Sequence, residues 1–476
     1  MADRSAMAAQ TEVAAESSLR QWVVALTVAS GNFVTTLEIS TSVALPFIAS
    51  RFQVDVATVQ WLVILYFGTR VGLLIGAGGA ADLFGLKRFY VLGLILYAIA
   101  SLVAAFSPSF AALLGLRMFM AVGIGFIQAS GPALIGRTFG AGRRGRGLGV
   151  AMAGVALGQI TGALAGGLLV QRFGWEAAFL IRVPTGILSA TLAFVVLREY
   201  RSGGRVRDFD FVGMATLFVG LFSLLVGVNL ARQLGWTSPI LATLFVVSAV
   251  FLASFYFNER RARSPVLDLG LFRIRGFNLA ASAPLVLQVA LWTIWTLFPF
   301  YITGVLKHGP FAVGLMMAVM SIVWFVVSPG AGWLSDRIGS RHISISGLAL
   351  VSLGFFFLSF LGDRSSLALV AVGMMVLGLG AGSFGVSNQN LMLNSVPKER
   401  FGTASASLGL AGAMGNTLCV AVFAAFFVAR KAAHSGVEYL AFQDVFRLAA
   451  IIVLAAAVLY VMVGRGLGPR KEGAPP

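Results

Sequence analysis

A lone carboxylate in a long apolar run is the first residue here that could do chemistry. Glu38 sits in "TTLEISTSVALP", and of the eighteen acids in the 476-residue chain it alone falls within a segment greasy enough to cross a bilayer. Keeping such a group charged in hydrocarbon costs a few kcal/mol, so it takes a proton readily and leads the candidates for a proton carrier. The bland alternative is a carboxylic acid hydrogen-bonded to its Thr and Ser neighbours. Three arginines, Arg70, Arg117 and Arg182, also lie inside apolar runs. At 1.5 Å per residue, Glu38 is about 15 Å from the C-terminal end of its run and Arg117 about 10 Å from the N-terminal end of its own, so the two are at similar depth if those ends share a membrane face. Arg70, mid-run, needs a carboxylate, a carbonyl or a substrate anion, whereas Arg182, near a run's end, can extend to the interface. Three arginines against one acid leave an anionic, zwitterionic or lipid-like substrate open.

Aromatic and small residues add two further patterns. Gln288, Trp292 and Trp295 share one run, the tryptophans at i and i+3, and Trp324 lies at similar depth in the next. Tryptophan favours interfaces, so mid-run copies suggest a wall for amphipathic substrates, against plain packing as the alternative. Gly154, Gly158, Gly162 and Gly166 recur every fourth residue, with Gly167 beside them; such spacing lets helices approach closely, and a sliding contact between the two halves of the protein is expected there. His308, His342 and His434 sit in loops or at run ends and Cys419 is the one cysteine. No metal, haem or other cofactor is expected from such a set.

These side chains must be carried by membrane helices. With 58% hydrophobic and 11% charged residues the chain is too apolar for a soluble globule. Apolar runs near 22–48, 58–81, 89–106, 110–136, 147–170, 177–197, 211–230, 238–257, 278–303, 311–334, 343–361, 367–393, 401–429 and 446–463 give fourteen expected spans. Lys and Arg number 35 against 18 acids, which in a soluble chain would suggest nucleic acid. Here 24 of those cations fall in loops and tails on one side and 8 on the other, counting Arg447 at the very edge of its run, placing both termini in the cytoplasm and excluding nucleic acid as the partner.

One charged phrase appears twice. "GGAADLFGLKR" holds Gly78, Asp82, Gly85, Lys87 and Arg88, and "GAGWLSDRIGSR" holds Gly332, Asp336, Arg337, Gly339 and Arg341. The copies follow spans 2 and 10, eight spans apart. Six-helix halves would separate them by six, so spans 7 and 8 read as an insertion. The expected architecture is 6 + 2 + 6: an N-terminal half (1–200), an inserted two-helix linker (201–276) and a C-terminal half (277–476), related as parallel repeats. An aspartate at fixed spacing is more than a topology signal, and a conformational latch meeting a helix N-terminus or basic residues such as Arg137 and Arg143 is expected.

These motifs resemble the major facilitator superfamily, in its fourteen-span drug:proton antiporter branch. Both copies of the loop phrase match the family signature. "RMFMAVGIG" is similar to the family's arginine motif through Arg117, Gly123 and Gly125, with Met120 and Ala121 in place of Gln-Gly. "GVALGQITGALAGG" is similar to the antiporter motif through Gly162, Gly166 and Gly167, with Ala163 replacing its proline; "GWEAAFLIRVP" is similar to the span-6 start, with Arg182 where a small polar residue is usual. In span 1 the branch has an Asp nine residues before a proline, whereas Glu38 stands eight before Pro46, a slip of about 100° around a helix.

The resemblance implies an all-α polytopic major facilitator fold and a proton-coupled exporter of amphipathic small molecules or drugs, working by alternating access in a bacterial inner membrane. Glu38 and Arg117 would couple the proton, and Arg70, Gln288, Trp292, Trp295 and Trp324 would line the cavity. Expected partners are the proton, an amphipathic substrate and the bilayer, with a periplasmic adaptor protein as a further candidate and a monomer as the working unit. The alternatives are an exporter or flippase of an anionic or lipid-like metabolite and, remotely, a membrane enzyme acting on lipids. That enzyme would want clustered His, Asp or Glu at one face, which the sequence lacks.

Overall fold

A computed structural model describes residues 2–139, 144–200, 211–234, 238–259, 275–395, 412, 414–416 and 418–464. Among them, twelve helices are long and apolar enough to cross a membrane. Helix α4 (Trp61–Phe84), some of whose side chains lie outside the description, stands where span 2 is expected. Most of the expected run 401–429 lies outside the described residues. Hydrocarbon offers no partner for backbone N–H and C=O groups, so an apolar chain of this kind must satisfy them within helices.

The N-terminal part runs α1 (Ala2–Thr36), α2 (Ile39–Arg51), α3 (Val56–Val59), α4, α5 (Leu86–Ala105), α6 (Phe110–Thr138), α7 (Arg144–Phe173), α8 (Ala177–Leu180) and α9 (Arg182–Val196). Helices α10 (Phe211–Leu234) and α11 (Pro239–Glu259) pack on each other as a pair. The C-terminal part runs α12 (Arg275–Thr296), α13 (Phe298–Phe300), a π turn (Tyr301–Val305), α14 (Pro310–Ile338), α15 (Ser340–Leu358), α16 (Leu367–Ser395), a π turn (Val420–Ala424), α17 (Ala425–Ala433) and α18 (Glu438–Gly464). Local signals set several ends: Ser109 caps α6 by accepting from the Ala112 N–H at 3.2 Å, and Asp55 caps α3 through Thr58 N–H at 2.8 Å.

The repeated phrase makes one turn twice. Gly85 (φ 118°) joins α4 to α5 and Gly339 (φ 96°) joins α14 to α15, both in backbone that other residues rarely adopt. Each turn is tied to the last long helix of its half. Leu86 N–H donates to Tyr200 O at 3.1 Å just past α9, and Arg341 Nη2 donates to Val461 O at 2.7 Å in α18.

The parts meet along helices that position the site. Helix α2 touches α12, α13 and α14, and α7 packs against α14. Gln60 donates to Thr296 O at 3.0 Å, and the rings of Phe67 and Trp292 lie 4.6 Å apart. On another flank α10 packs on α4, where Phe218 and Phe222 fill the space left by Gly72 and Gly68, and α10 also touches the Val420–Ala424 turn. The α10–α11 pair thus contacts both parts.

Candidate functional site

The first span does not run straight through Glu38. α1 stops at Thr36 and α2 restarts at Ile39; at the join Ser40 N–H reaches Leu37 O at 2.9 Å and Thr41 N–H reaches Glu38 O at 2.9 Å. These i to i−3 bonds tighten the helix at the acid and shift its facing.

Two arginines hold the carboxylate. Arg117 Nη2 lies 2.5 Å from Glu38 Oε1, and Arg182 Nη1 lies 3.2 Å from Oε2, which also accepts from the Tyr97 hydroxyl at 3.3 Å. The arginine side chains are 1% and 0% exposed and the glutamate 14%, so the cluster sits in a low-dielectric setting where paired charges attract strongly. Arg182 also braces the helix break, donating to Ser40 Oγ at 3.1 Å, to Glu38 O at 3.4 Å and to Thr41 Oγ1. Arg117 donates from Nε to Leu62 O at 3.3 Å and lies 4.1 Å over the Tyr66 ring. One carboxylate thus faces two guanidiniums. Among the described residues Arg117 Nη1 and Arg182 Nε have no hydrogen-bond partner.

The structure corrects the expectation for Arg182. It does not extend to the interface: at the start of α9 it is buried and pointed at the break in span 1, where it meets Glu38, Ser40 and Thr41. Tyr97, Tyr66 and Thr41 also escaped the sequence reading, because a tyrosine or threonine in an apolar run looks like packing until its partner is known. Arg70 takes a neutral partner. Its Nε donates to Gln128 Oε1 at 2.9 Å and its guanidinium lies 5.6 Å from the Phe67 ring centroid, which ties it to the Phe67–Trp292 contact between the two parts.

The other expected lining residues are not all brought together. Trp292 and Trp295 are neighbours, 6.3 Å apart by centroid, Trp292 half-buried and Trp295 buried. Gln288 packs beside Gly412 and Gly415. Trp324 is half-buried against Gly382 of α16, in a different contact.

The glycine stripe faces a partner other than the expected one. Gly154 lies against Ala29, Gly158 against Phe33 and Thr36, Gly162 against Leu37 and Gly166 against Ser40, all in the first span of the same half. Spacing names a helix face but not what covers it. The contact with the other half belongs to the adjacent stripe, where Gly167 meets Pro310, Phe311 and Gly314, and Gly314 meets the Ala163 carbonyl. In the loop copies, Lys87 N–H donates to Glu199 Oε1 at 3.1 Å, Arg88 pairs with Glu199 at 3.5 Å, and Arg337 lies 3.9 Å over Trp333. Gly332 lies beside Val386. Arg143 and the side-chain surroundings of Gly78, Asp82 and Asp336 lie outside the described residues.

Comparison with known proteins settles the family. The Major Facilitator Superfamily pattern matches residues 27–257, 209–418 and 280–476. The chain belongs to the major facilitator superfamily. It is similar to the multidrug resistance protein Stp of Mycobacterium tuberculosis, at 32% identity over 82% of this chain and 72% of that one. The riboflavin transporter RibZ of Clostridioides difficile is 25% identical over 94% and 98% of the two chains. The tetracenomycin C resistance and export protein of Streptomyces glaucescens is 29% identical over 86% and 77%. Among solved structures, the POT family transporter PepTSo superposes with a TM-score of 0.72 at 15% identity, covering 95% of this chain and 99% of that one, a likeness of fold. The protein is therefore a multi-pass membrane transporter of this superfamily.

Proposed function

We propose that this transporter is a proton-coupled antiporter that exports amphipathic small molecules across a bacterial inner membrane by alternating access. The observation that carries the reading is the buried Glu38 held between Arg117 and Arg182. A proton taken up by Glu38 removes the charge that both arginines share. The cluster then carries two like charges in a low-dielectric core, which favours rearrangement of the helices that hold it. Names of relatives that confer drug resistance or export support the cargo class. In this reading fourteen spans are arranged 6 + 2 + 6, as residues 1–200, 201–276 and 277–476, with both termini cytoplasmic. The chain works as a monomer, and the twice-used loop phrase is a latch at the cytoplasmic face.

A second reading is favoured by the same cluster. The surplus guanidinium beside Glu38 and the neutral partner of Arg70 support an anionic or zwitterionic cargo, and a relative named as a riboflavin transporter shows that relatives are not confined to drugs by name. The test is transport in proteoliposomes of a cationic dye and an anionic lipid-like probe under an imposed pH gradient. Movement of the dye driven by the gradient is the expected result, movement of the anion alone replaces the first reading by the second, and gradient-independent leakage of both contradicts coupling.

A further inference from the structure

A groove on the outer flank of the N-terminal half lies between α5 and α9, lined by residues other than those that touch Glu38, although Ala98 and Val183 directly follow Tyr97 and Arg182 in sequence. It has a volume of about 370 Å³, and its walls include Val91, Ile95 and Leu102 on one side and Val183, Ile187 and Phe194 on the other. Its origin is local: Gly186 lets α9 approach Ala98 closely, leaving the larger side chains to rise as two ridges. Several of those ridge residues are exposed, Ile95, Ile187 and Phe194 among them, as suits a surface that faces lipid.

Length and charge give the groove a direction. From Val91 to Leu102 the helix rises about 16 Å, close to the roughly 15 Å of hydrocarbon in a single leaflet. Lys87 continues the same stripe one turn before Val91, and its Nζ lies 4.9 Å over the ring of Phe194, at the end of the groove. Arg88, 69% exposed, stands beside it. An apolar trough of one-leaflet length that ends in two cations matches the division of a phospholipid into chain and phosphate headgroup.

We propose that this groove is a binding site for one anionic phospholipid, one of its two acyl chains lying between α5 and α9 and its headgroup phosphate on Lys87 and Arg88. The headgroup then shares these cations with Glu199, which holds Lys87 N–H and Arg88 and so fixes the Gly85 turn against the end of α9. Bilayer charge is thereby linked to the first copy of the repeated loop. A zwitterionic lipid offers the same chain and phosphate but adds a cation that Lys87 and Arg88 repel.

The test is native mass spectrometry of the purified full-length protein titrated with phosphatidylglycerol or phosphatidylcholine of identical chains. The first phosphatidylglycerol is expected to bind about tenfold more tightly than the first phosphatidylcholine, from roughly 1 kcal/mol per basic residue offset in part by Glu199. Lys87→Gln with Arg88→Gln should erase that preference, and Lys87→Arg should keep it. Thr191→Phe, which fills the groove without touching a charge, should weaken the first site for both lipids. Equal affinity of the two lipids, a preference that survives the double substitution, or a first site indifferent to Thr191→Phe would each overturn the assignment.

Discussion

The first span of each half is interrupted, but by i to i−3 tightening at Leu37–Glu38 in one and just before Pro299 and a π turn in the other, and the two sites are filled differently. In the N-terminal half the interruption at Leu37–Glu38 holds a carboxylate between two buried arginines. In the C-terminal half the interruption at Leu297 is followed by Phe298 and Pro299, and the neighbouring groups are neutral. Tyr301 donates to Gly362 O at 2.9 Å, Thr293 lies 3.6 Å from Cys419 Sγ, and Phe442 and Phe446 meet the Tyr301 ring edge to face. Among the described residues, Asp444 near the start of α18 instead gathers a polar cluster of that half, meeting Arg430 at 2.6 Å, His434 at 2.7 Å and Arg447 at 3.3 Å. One scaffold thus carries a charged core in one half and an aromatic core in the other, and the proton chemistry proposed above would belong to the first.

The contrast breaks most sharply at Glu38. Glu38→Gln leaves two buried guanidiniums with no countercharge and should destabilise the protein by roughly 3–5 kcal/mol, whereas Thr293→Val, at a neutral contact in the other half, should cost no more than about 1 kcal/mol. Thermal unfolding in one detergent compares the two, and equal losses would erase the distinction between the cores. Arg182→Met comes next. The Glu38–Arg117 pair stays balanced, so the loss is the bracing of the helix break, about 1.5–3 kcal/mol for charge-assisted hydrogen bonds. Adding Arg182→Met to Glu38→Gln should recover part of the first loss, since it removes one unpaired charge; strictly additive losses would show that the groups are uncoupled.

The glycine stripes sharpen the comparison at the level of contacts. Gly158→Val and Gly167→Val should each cost roughly 1–3 kcal/mol by overpacking. Gly158 works within one half, so its variant should lose stability and transport together, while Gly167 touches the other half and its variant should lose transport out of proportion to stability. Parallel losses in the two variants would argue against a moving contact at Gly167. The smallest effect is expected at the repeated turn. Gly85→Ala and Gly339→Ala should each cost about 1 kcal/mol from the backbone alone. Gly85 should cost more, because a β-carbon there would meet the carboxylate of Glu199, while at Gly339 the nearest atom is 3.5 Å away. Identical melting shifts would show that the Glu199 tie is loose.

What could be read from the sequence follows from which forces have short-range signatures. Hydropathy marked the helices and charge marked the loops, so the repeated phrase and the depth match of Glu38 with Arg117 were legible. The bracket by Arg182 was not, because it depends on the tightened turn at Leu37–Glu38 and on which way the start of α9 faces, and neither disturbs the apolar pattern. Periodicity gave Gly154 to Gly166 a common face, yet nothing local says that α1 covers it. The expected last span began at 446, whereas α18 begins at Glu438 and draws Asp444 into the helix, since Arg430 and Arg447 offset its charge and His434 lies within hydrogen-bond reach.

The most direct test of the charged core compares wild type with Glu38→Gln in proteoliposomes, measuring substrate accumulation under an imposed pH gradient and substrate exchange without one. Under the proposed coupling, Glu38→Gln should lose gradient-driven accumulation and keep exchange, because the proposed proton site is removed while the proposed cargo contacts around Trp292 and Arg70 remain. Gradient-driven accumulation at the wild-type level in Glu38→Gln would contradict it.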